Sequence, residues 1–178
     1  MLLLAVGCAS KKIPEHQFYT MQSVVSGEEV LQGSVELANA KLRIAGVSTA
    51  AYLSQAGIVT ADAAGIIYTA NYHLWAELPD VTIKRRLERC VLQDTQTKRE
   101  PQVIEVQVHS FQGDGNGGVI FGGVWTSTPQ GAPASRDTYL FEYRESQSGD
   151  GYGPLVAALS NTVQQLCDDI LGKSRTGT

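Results

Sequence analysis

"QVIEVQVHSF", residues 102–111, decides the fold, because apolar and polar side chains alternate along residues 104–109. The apolar positions are Ile104, Val106 and Val108, and the polar positions are Glu105, Gln107 and His109. A period of two residues predicts a strand with one buried face and one face in water. That pattern is typical of an antiparallel sheet that is covered on one side only.

Further strands are predicted on both sides of this segment. Downstream, "GGVIFGGVWT" (117–126) and "DTYLFEYRE" (137–145) follow after loops that contain glycine or proline, so the three strands form a meander. Upstream, "KLRIAGV" (41–47) alternates in the same way, and "IVT" (58–60) and "GIIYTANYHLW" (65–75) are rich in β-branched and aromatic residues. "HQFYTM" (16–21) supplies at most one short additional strand.

Two amphipathic helices are predicted between and after these strands. The first begins near Pro79, which needs no backbone N–H partner in a first turn, and Asp80 suits the positive end of the helix dipole. Its apolar positions are Ile83, Leu87, Cys90 and Val91. Those of the second helix are Leu155, Leu159, Val163, Leu166 and Ile170. Each helix therefore has one stripe to bury.

These elements predict an α/β fold of the α+β type. We expect a two-layer sandwich in which a mainly antiparallel sheet of about six strands carries both helices on one face, in the order βββα-βββα. The single domain spans residues 41–172. Residues 1–7 are interpreted as the remnant of a signal peptide, residues 8–40 as a lipidated tether and edge segment, and residues 173–178 as a frayed tail.

Composition excludes several classes of function. The chain has 178 residues, a net charge of -4 and 43% hydrophobic residues, so one soluble globular domain is expected. No basic stripe is present that could neutralise a phosphate backbone, and nucleic acid is therefore not expected as a partner. No run of eighteen apolar residues occurs in the sequence, so a membrane-spanning helix is not predicted.

The N-terminus, "MLLLAVGCAS", indicates a different attachment to the membrane. Ala5-Val6-Gly7-Cys8 matches the lipobox, in which small residues before a cysteine permit cleavage and the thiol becomes acylated. The alternative is a buried strand with a free thiol at Cys8. Because Ala9 and Ser10 provide no aspartate after the cysteine, the outer membrane is the predicted destination.

Acylation of Cys8 would leave two cysteines, Cys90 and Cys167, in an oxidising compartment. Each lies on or beside the apolar stripe of one helix, and the two helices are expected to be neighbours. A disulfide and two separate buried thiols are both compatible with the sequence, since spacing along the chain does not fix the Cα separation.

Motifs that would indicate catalysis are weak. "GDGNGG" (113–118) has glycines at dinucleotide-binding spacing, but it joins two strands and is better explained as a hairpin loop. His16, His73 and His109 have no acid or cysteine at metal-ligand spacing. Since no nucleophile, base and oxyanion site can be assembled either, we predict no enzyme, no metal and no cofactor.

Four bulky residues are candidates for contact with a partner. Tyr52 and Leu53 lie in a predicted loop, where they either dock into the core or form a binding patch. Trp75 precedes the first helix and could pack the helix on the sheet. Trp125 lies at the end of its strand, where both fates are open.

Several phrases, taken in order, resemble the PqiC-like lipoproteins, which are auxiliary components of ABC-type transport systems that work with MCE proteins. They are the lipobox, "FYTM" (18–21), "LRIAGVSTAAYLSQAGIV" (42–59), "HLWAEL" (73–78), "VQVHSFQGD" (106–114) and "GDGYGPLVAALSNTVQQLCDDI" (149–170). The resemblance covers nearly all of the mature chain. It implies a lipoprotein at the periplasmic face of the outer membrane, with ATP hydrolysis assigned to another subunit.

Two functions are compatible with this resemblance. The first is a non-catalytic docking or gating component that engages an MCE-domain protein during lipid transport between the two membranes, with self-association into a homo-oligomer as a further expectation. The second is a periplasmic carrier that holds a lipid or small apolar ligand within its own domain, which predicts a deep apolar pocket between sheet and helices.

Overall fold

A computed structural model describes residues 14–21, 41–92, 100–132 and 134–176. Cys8, with the rest of the lipobox and most of the predicted tether, lies outside the described residues. The strands are β1 (Gln17–Tyr19), β2 (Leu42–Thr49), β3 (Gly57–Ala61), β4 (Ile67–Trp75), β5 (Gln102–Gly113), β6 (Gly118–Pro129) and β7 (Asp137–Ser146). The helices are α1 (Pro79–Leu92) and α2 (Tyr152–Thr176), and a single 3-10 turn, Ala51–Leu53, follows β2.

One seven-stranded sheet forms the first layer, in the order β1-β4-β3-β5-β6-β7, with β2 paired to β5 beside β3. The antiparallel meander of β5, β6 and β7 is confirmed over its full length. The prediction of about six strands is corrected to seven, because the short segment Gln17–Tyr19 pairs with β4. Four strands of the described chain therefore precede α1, rather than the three predicted.

The sheet is also less purely antiparallel than predicted. β1 runs parallel to β4, and both β2 and β3 run parallel to β5. β6 pairs with one edge of β5, whereas β2 and β3 pair with the other edge. Along the chain, β4 and α1 connect β3 to β5. A connection of this length allows parallel pairing, which a tight hairpin does not.

Both helices form the second layer, as predicted. α1 packs on β2, α2 packs on β6 and β7, and the two helices contact each other. Ile104, Val106 and Val108 are almost fully buried beneath them, while Glu105 and Gln107 are exposed on the opposite side. The alternation that predicted the sheet therefore also separates its covered face from its open face.

The C-terminal helix is longer than the sequence indicated. A frayed tail was predicted from residue 173, but α2 continues to Thr176 and the side chain of Ser174 is buried. Residues 171–175 contain no proline, and Gly172 is the one strongly unfavourable residue among them, so the helix propagates past Leu171.

Candidate functional surface

The interface between sheet and helices is filled by side chains. Phe111 stacks on Trp75 at 5.8 Å between ring centroids and meets the edge of Phe121 at 5.2 Å. Leu159, Leu166 and Ile170 of α2 are fully buried against the same cluster. Close packing of this kind provides stability, and it also determines which predicted contact residues reach the surface.

Three of the four candidate contact residues lie in this core. The relative exposures of Leu53, Trp75 and Trp125 are 1%, 4% and 3%. Trp125 stacks on Tyr139 at 4.2 Å, and Leu53 is held by the 3-10 turn that follows β2. Their side chains therefore stabilise the core of the folded chain and are not accessible on its surface.

Tyr52 is the one candidate that stays half-buried near the surface. Its hydroxyl lies 2.7 Å from Oε1 of Gln112 and 2.9 Å from the carbonyl oxygen of His109. Burial raises the pKa of this phenol, while a hydrogen bond with Ser110 opposes that change. Tyr52 fastens the 3-10 turn to β5 where the register shifts between Val108 and Ser110.

The three histidines are separated from one another, and two of them stack on tyrosine rings. His73 stacks on Tyr152 at 4.0 Å, and its Nδ1 lies 3.0 Å from the Tyr19 hydroxyl. His16 stacks on Tyr72 at 5.6 Å, and His109 is exposed on β5. Within the described ranges, no three His, Cys, Asp or Glu side chains are grouped so that they could hold a metal ion.

"GDGNGG" forms the turn between β5 and β6, as predicted. Gly115 and Gly117 adopt φ of 75° and 78°, which only glycine tolerates without strain. Oδ1 of Asp114 accepts hydrogen bonds from the amides of Asn116 and Gly118, at 2.8 and 2.9 Å. The aspartate thus serves the turn itself.

Cys90 and Cys167 are paired in the structure. They lie on α1 and α2, their Cα atoms are 6.4 Å apart, and the sulfur atoms are joined. This separation is within the range that a disulfide requires. The helix packing thereby supplies the proximity that the sequence left open.

Two exposed apolar features were not anticipated from the sequence. The first is Leu140 on the open face, which is defined as the uncovered side of the sheet around Glu105, Gln107, Val124, Leu140 and Glu142. Leu140 is 84% exposed there, and it pairs across the strands with Val124. The available signal was the alternation in β7, which places Leu140 on the side opposite to the buried Phe141.

The second feature is the hairpin tip, residues 63–68, between β3 and β4. Ile66, Ile67 and Tyr68 are 55%, 40% and 52% exposed. Consecutive isoleucines outside the alternating pattern were the signal, but the sequence analysis included them in a strand. The tip is the largest run of exposed apolar side chains along the described chain.

A cleft lies between α1 and the free edge of β2. Its volume is about 580 Å³, and its walls include Leu42, Ile44, Val91 and Leu92, with Lys84 and Glu88 at the same site. Charged side chains thus border an apolar floor.

The fold defines the class as a two-layer α/β protein, with one sheet and two helices in the described residues. Neither α1 nor α2, the helices of the described chain, combines the length and hydropathy of a membrane-crossing segment. Residues 19–171 match the family model for the ABC-type transport auxiliary lipoprotein component. The chain belongs to this family of ABC-type transport auxiliary lipoproteins.

Solved structures share the fold. One, titled only as an uncharacterized protein, has a TM-score of 0.69 at 20% identity, covering 90% of this chain and 99% of that one. Another, protein XCC0632 from Xanthomonas campestris, of the DUF330 family, has a TM-score of 0.67 at 14% identity, covering 75% and 82% of the two chains. The comparison with curated proteins gave no match.

Proposed function

We propose that this protein is a non-catalytic docking or gating component of an MCE/ABC-type intermembrane lipid transport system. The observation that carries the proposal is the family match over residues 19–171, which makes the chain an auxiliary component of ABC-type transport. The filled interface between sheet and helices supports binding through a surface rather than turnover in a pocket. Its partner in this proposal is the MCE-domain protein of the system.

Attachment to the membrane is the second part of the proposal. Cys8 follows the small residues of a lipobox, and acyl chains on it would hold the domain at the periplasmic face of the outer membrane. Burial of each methylene contributes about 0.8 kcal/mol, so two or three chains make attachment nearly permanent. The folded domain then works beside a bilayer without crossing it.

Co-purification tests the docking proposal. The acylated full-length protein is expected to retain the MCE-domain protein encoded with the same transport system in a pull-down from detergent extracts. Leu140→Glu on the open face probes the docking surface, and Ala157→Glu, at an exposed position on α2, is the matched control. Loss of the partner only with Leu140→Glu would place docking on the open face. No co-purification with an intact partner would contradict the proposed function.

The alternative is a periplasmic carrier of a lipid or small apolar ligand. The cleft beside β2 and α1 is the feature that favours it, because its apolar floor of about 580 Å³ could receive part of an acyl chain. Mass spectrometry of protein purified without detergent distinguishes the two functions. A stoichiometric lipid that is lost in Leu92→Glu, a partly buried position of the cleft, would support the carrier, and the absence of such a lipid would support docking.

A further inference from the structure

The hairpin tip is apolar throughout. Its sequence, "AAGIIY" (63–68), has no charged residue, and Ala63 and Ala64 are exposed together with the two isoleucines and Tyr68. Isoleucine side chains in water are unfavourable, whereas tyrosine combines an apolar ring with a polar end that suits the interface between water and lipid. This composition fits contact with the interface between water and lipid.

Asp62 holds the tip in one shape. Its Oδ1 accepts hydrogen bonds from the amides of Ala64 and Ile66, both at 2.9 Å, and the Tyr68 hydroxyl donates to Oδ2 at 3.1 Å. The amides of Asp62 and Gly65 donate to the carbonyls of Ile66 and Asp62, both at 3.0 Å. Because these backbone donors are already satisfied within the turn, moving the tip out of water does not leave them without partners.

The loop between β5 and β6 supports the tip from behind. A Cβ on Gly115 would overlap the carbonyl of Ala61 and approach Cα of Asp62 at 2.8 Å, so the two loops are in direct contact. The exposed side chains therefore project from a braced end of the sheet.

The chain enters β1 from the end of the sheet at which the tip lies. β1 runs parallel to β4, with Gln17 opposite His73 and Tyr19 opposite Trp75. β4 starts at the tip, at Ile67, and runs away from it. The segment that precedes β1 therefore enters from the side of the tip, and His16 beside Tyr72 continues that course.

The number of residues before β1 is sufficient for this arrangement. Cys8 precedes Gln17 by nine residues, which span at most about 30 Å when extended. His73 follows Ile67 by six residues, a span of at most about 20 Å. An acyl group on Cys8 can thus reach the level of the tip and pass it by no more than about 10 Å.

The charges of the loops around the tip indicate which kind of bilayer the tip contacts. The three neighbouring loops, residues 62–66, 114–117 and 147–151, contain Asp62, Asp114 and Asp150 and no lysine or arginine. These three loops are acidic and carry no cation, so they are repelled by anionic headgroups at short range, whereas Lys11 and Lys12 belong to the segment between Cys8 and β1. A zwitterionic bilayer therefore fits the tip better than an anionic one.

We propose that the hairpin tip inserts into the headgroup region of the bilayer that holds Cys8, as a second membrane contact that fixes the orientation of the domain. This inference rests on the acylation of Cys8 in the proposed function. With two contacts at one end of the sheet, the opposite end points into the periplasm.

Depth-dependent quenching tests the proposal on the full-length acylated chain in phosphatidylcholine vesicles that contain doxyl-labelled lipid. A bimane fluorophore is attached to Ala64→Cys at the tip, and to Ala132→Cys in the exposed turn after β6, at the opposite end of the sheet, as the control. Quenching at position 64 is expected to exceed that at position 132 at least threefold. Equal quenching at the two positions would overturn the proposal.

Substitutions define the cause of the quenching. Ile66→Asp with Ile67→Asp is expected to lower quenching at position 64 to the level of the control, whereas Leu140→Asp, an exposed leucine on the open face, leaves it unchanged. A thermal midpoint equal to that of the parent shows that the tip variant is folded. If quenching is equal at both ends and the tip variant loses the MCE-domain protein, the tip binds protein and not lipid.

Flotation separates failure of the anchor from failure of the tip. If Cys8 is acylated, both the parent and the tip variants float with vesicles. If Cys8 is not acylated, neither the parent nor the variants float. In that case the same quenching is measured on the unacylated chain at millimolar lipid. Stronger quenching at position 64 than at position 132 supports insertion of the tip, and equal quenching overturns it.

Discussion

Gly123 is a residue at which the sheet has no space for a side chain. It pairs with Val108 beside the register shift in β5. A Cβ there would overlap the carbonyl oxygen of Gln107 and lie 3.1 Å from Cζ of Phe141. Because backbone on one side and a core ring on the other restrict relaxation, the added methyl group must displace one of them.

Gly123→Ala is therefore expected to lower the free energy of unfolding by about 2 to 3 kcal/mol. The adjacent Gly122→Ala is the matched control, since its nearest neighbour would be 3.4 Å away, and a change below about 1 kcal/mol is expected. Urea denaturation followed by circular dichroism measures both. Equal losses in the two variants would show that the sheet relaxes around Gly123.

Tyr143 illustrates a pH effect at the same scale. It lies on the covered side of β7, and its hydroxyl donates to Oδ2 of Asp169 on α2. Burial, followed by this hydrogen bond and the charge of Asp169, raises its pKa above the ordinary value of 10.0. The folded state therefore favours the neutral phenol, and the stability that this provides is present below pH 10 and is lost as the pH rises above it.

Tyr143→Phe tests this sign. At pH 8 the variant is expected to lose about 1 kcal/mol, the typical contribution of one hydrogen bond. Between pH 10 and 11 the parent loses its advantage, so the difference between the two proteins narrows. Urea midpoints at pH 8 and 10.5 provide the measurement. A difference that widens with pH would contradict the raised pKa.

At the scale of elements, the two helices are joined to each other as well as to the sheet. Cys90 of α1 and Cys167 of α2 are separated by 77 residues in sequence. A bond between them would close a long loop in the unfolded chain and restrict its conformational freedom. Arg86 of α1 adds a polar contact between the helices, donating to Oγ of Ser160 at 2.6 Å.

Reduction of the protein is expected to lower the free energy of unfolding by about 2 to 4 kcal/mol. Urea midpoints with and without dithiothreitol measure the effect. Cys90→Ser with Cys167→Ser is the control, because it should start at the lower midpoint and not respond to the reductant. An unchanged midpoint of the parent, together with alkylation of both cysteines before reduction, would show that the thiols are free.

For the whole molecule, the folded domain and its proposed attachment to the membrane involve different residues. The core is built from residues between Met21 and Ile170, whereas the proposed acylation site is Cys8. Nothing in the core depends on the acyl chains, so loss of the anchor should change location without changing stability.

Cys8→Ala is accordingly expected to move the protein from the membrane fraction to the soluble periplasmic fraction. Its thermal midpoint should stay within the error of the unacylated parent domain. Cys90→Ala with Cys167→Ala is the control, and it should remain with the membrane. Fractionation with palmitate labelling gives the readout, and a membrane-bound, labelled Cys8→Ala protein would contradict the lipobox interpretation.

Periodicity predicted both helices, the central strand β5 and the two-layer arrangement, whereas it did not give the strand β1 or the full length of α2. The alternation from Ile104 to Val108 identified the covered face of the sheet, and the apolar stripes of both helices predicted what covers it, since each pattern must be buried. The family resemblance also followed from the sequence, and the match over residues 19–171 confirms it.

Tertiary structure decided the rest, because pairing and proximity depend on residues that are distant in sequence. The parallel pairing of β1 with β4, the joined sulfur atoms of Cys90 and Cys167, and the burial of Trp75 and Trp125 all arise from how layers pack. The exposure of Ile66 and Ile67 could not be predicted either, since the sequence pattern of a short apolar run is the same whether the run is buried or exposed to solvent.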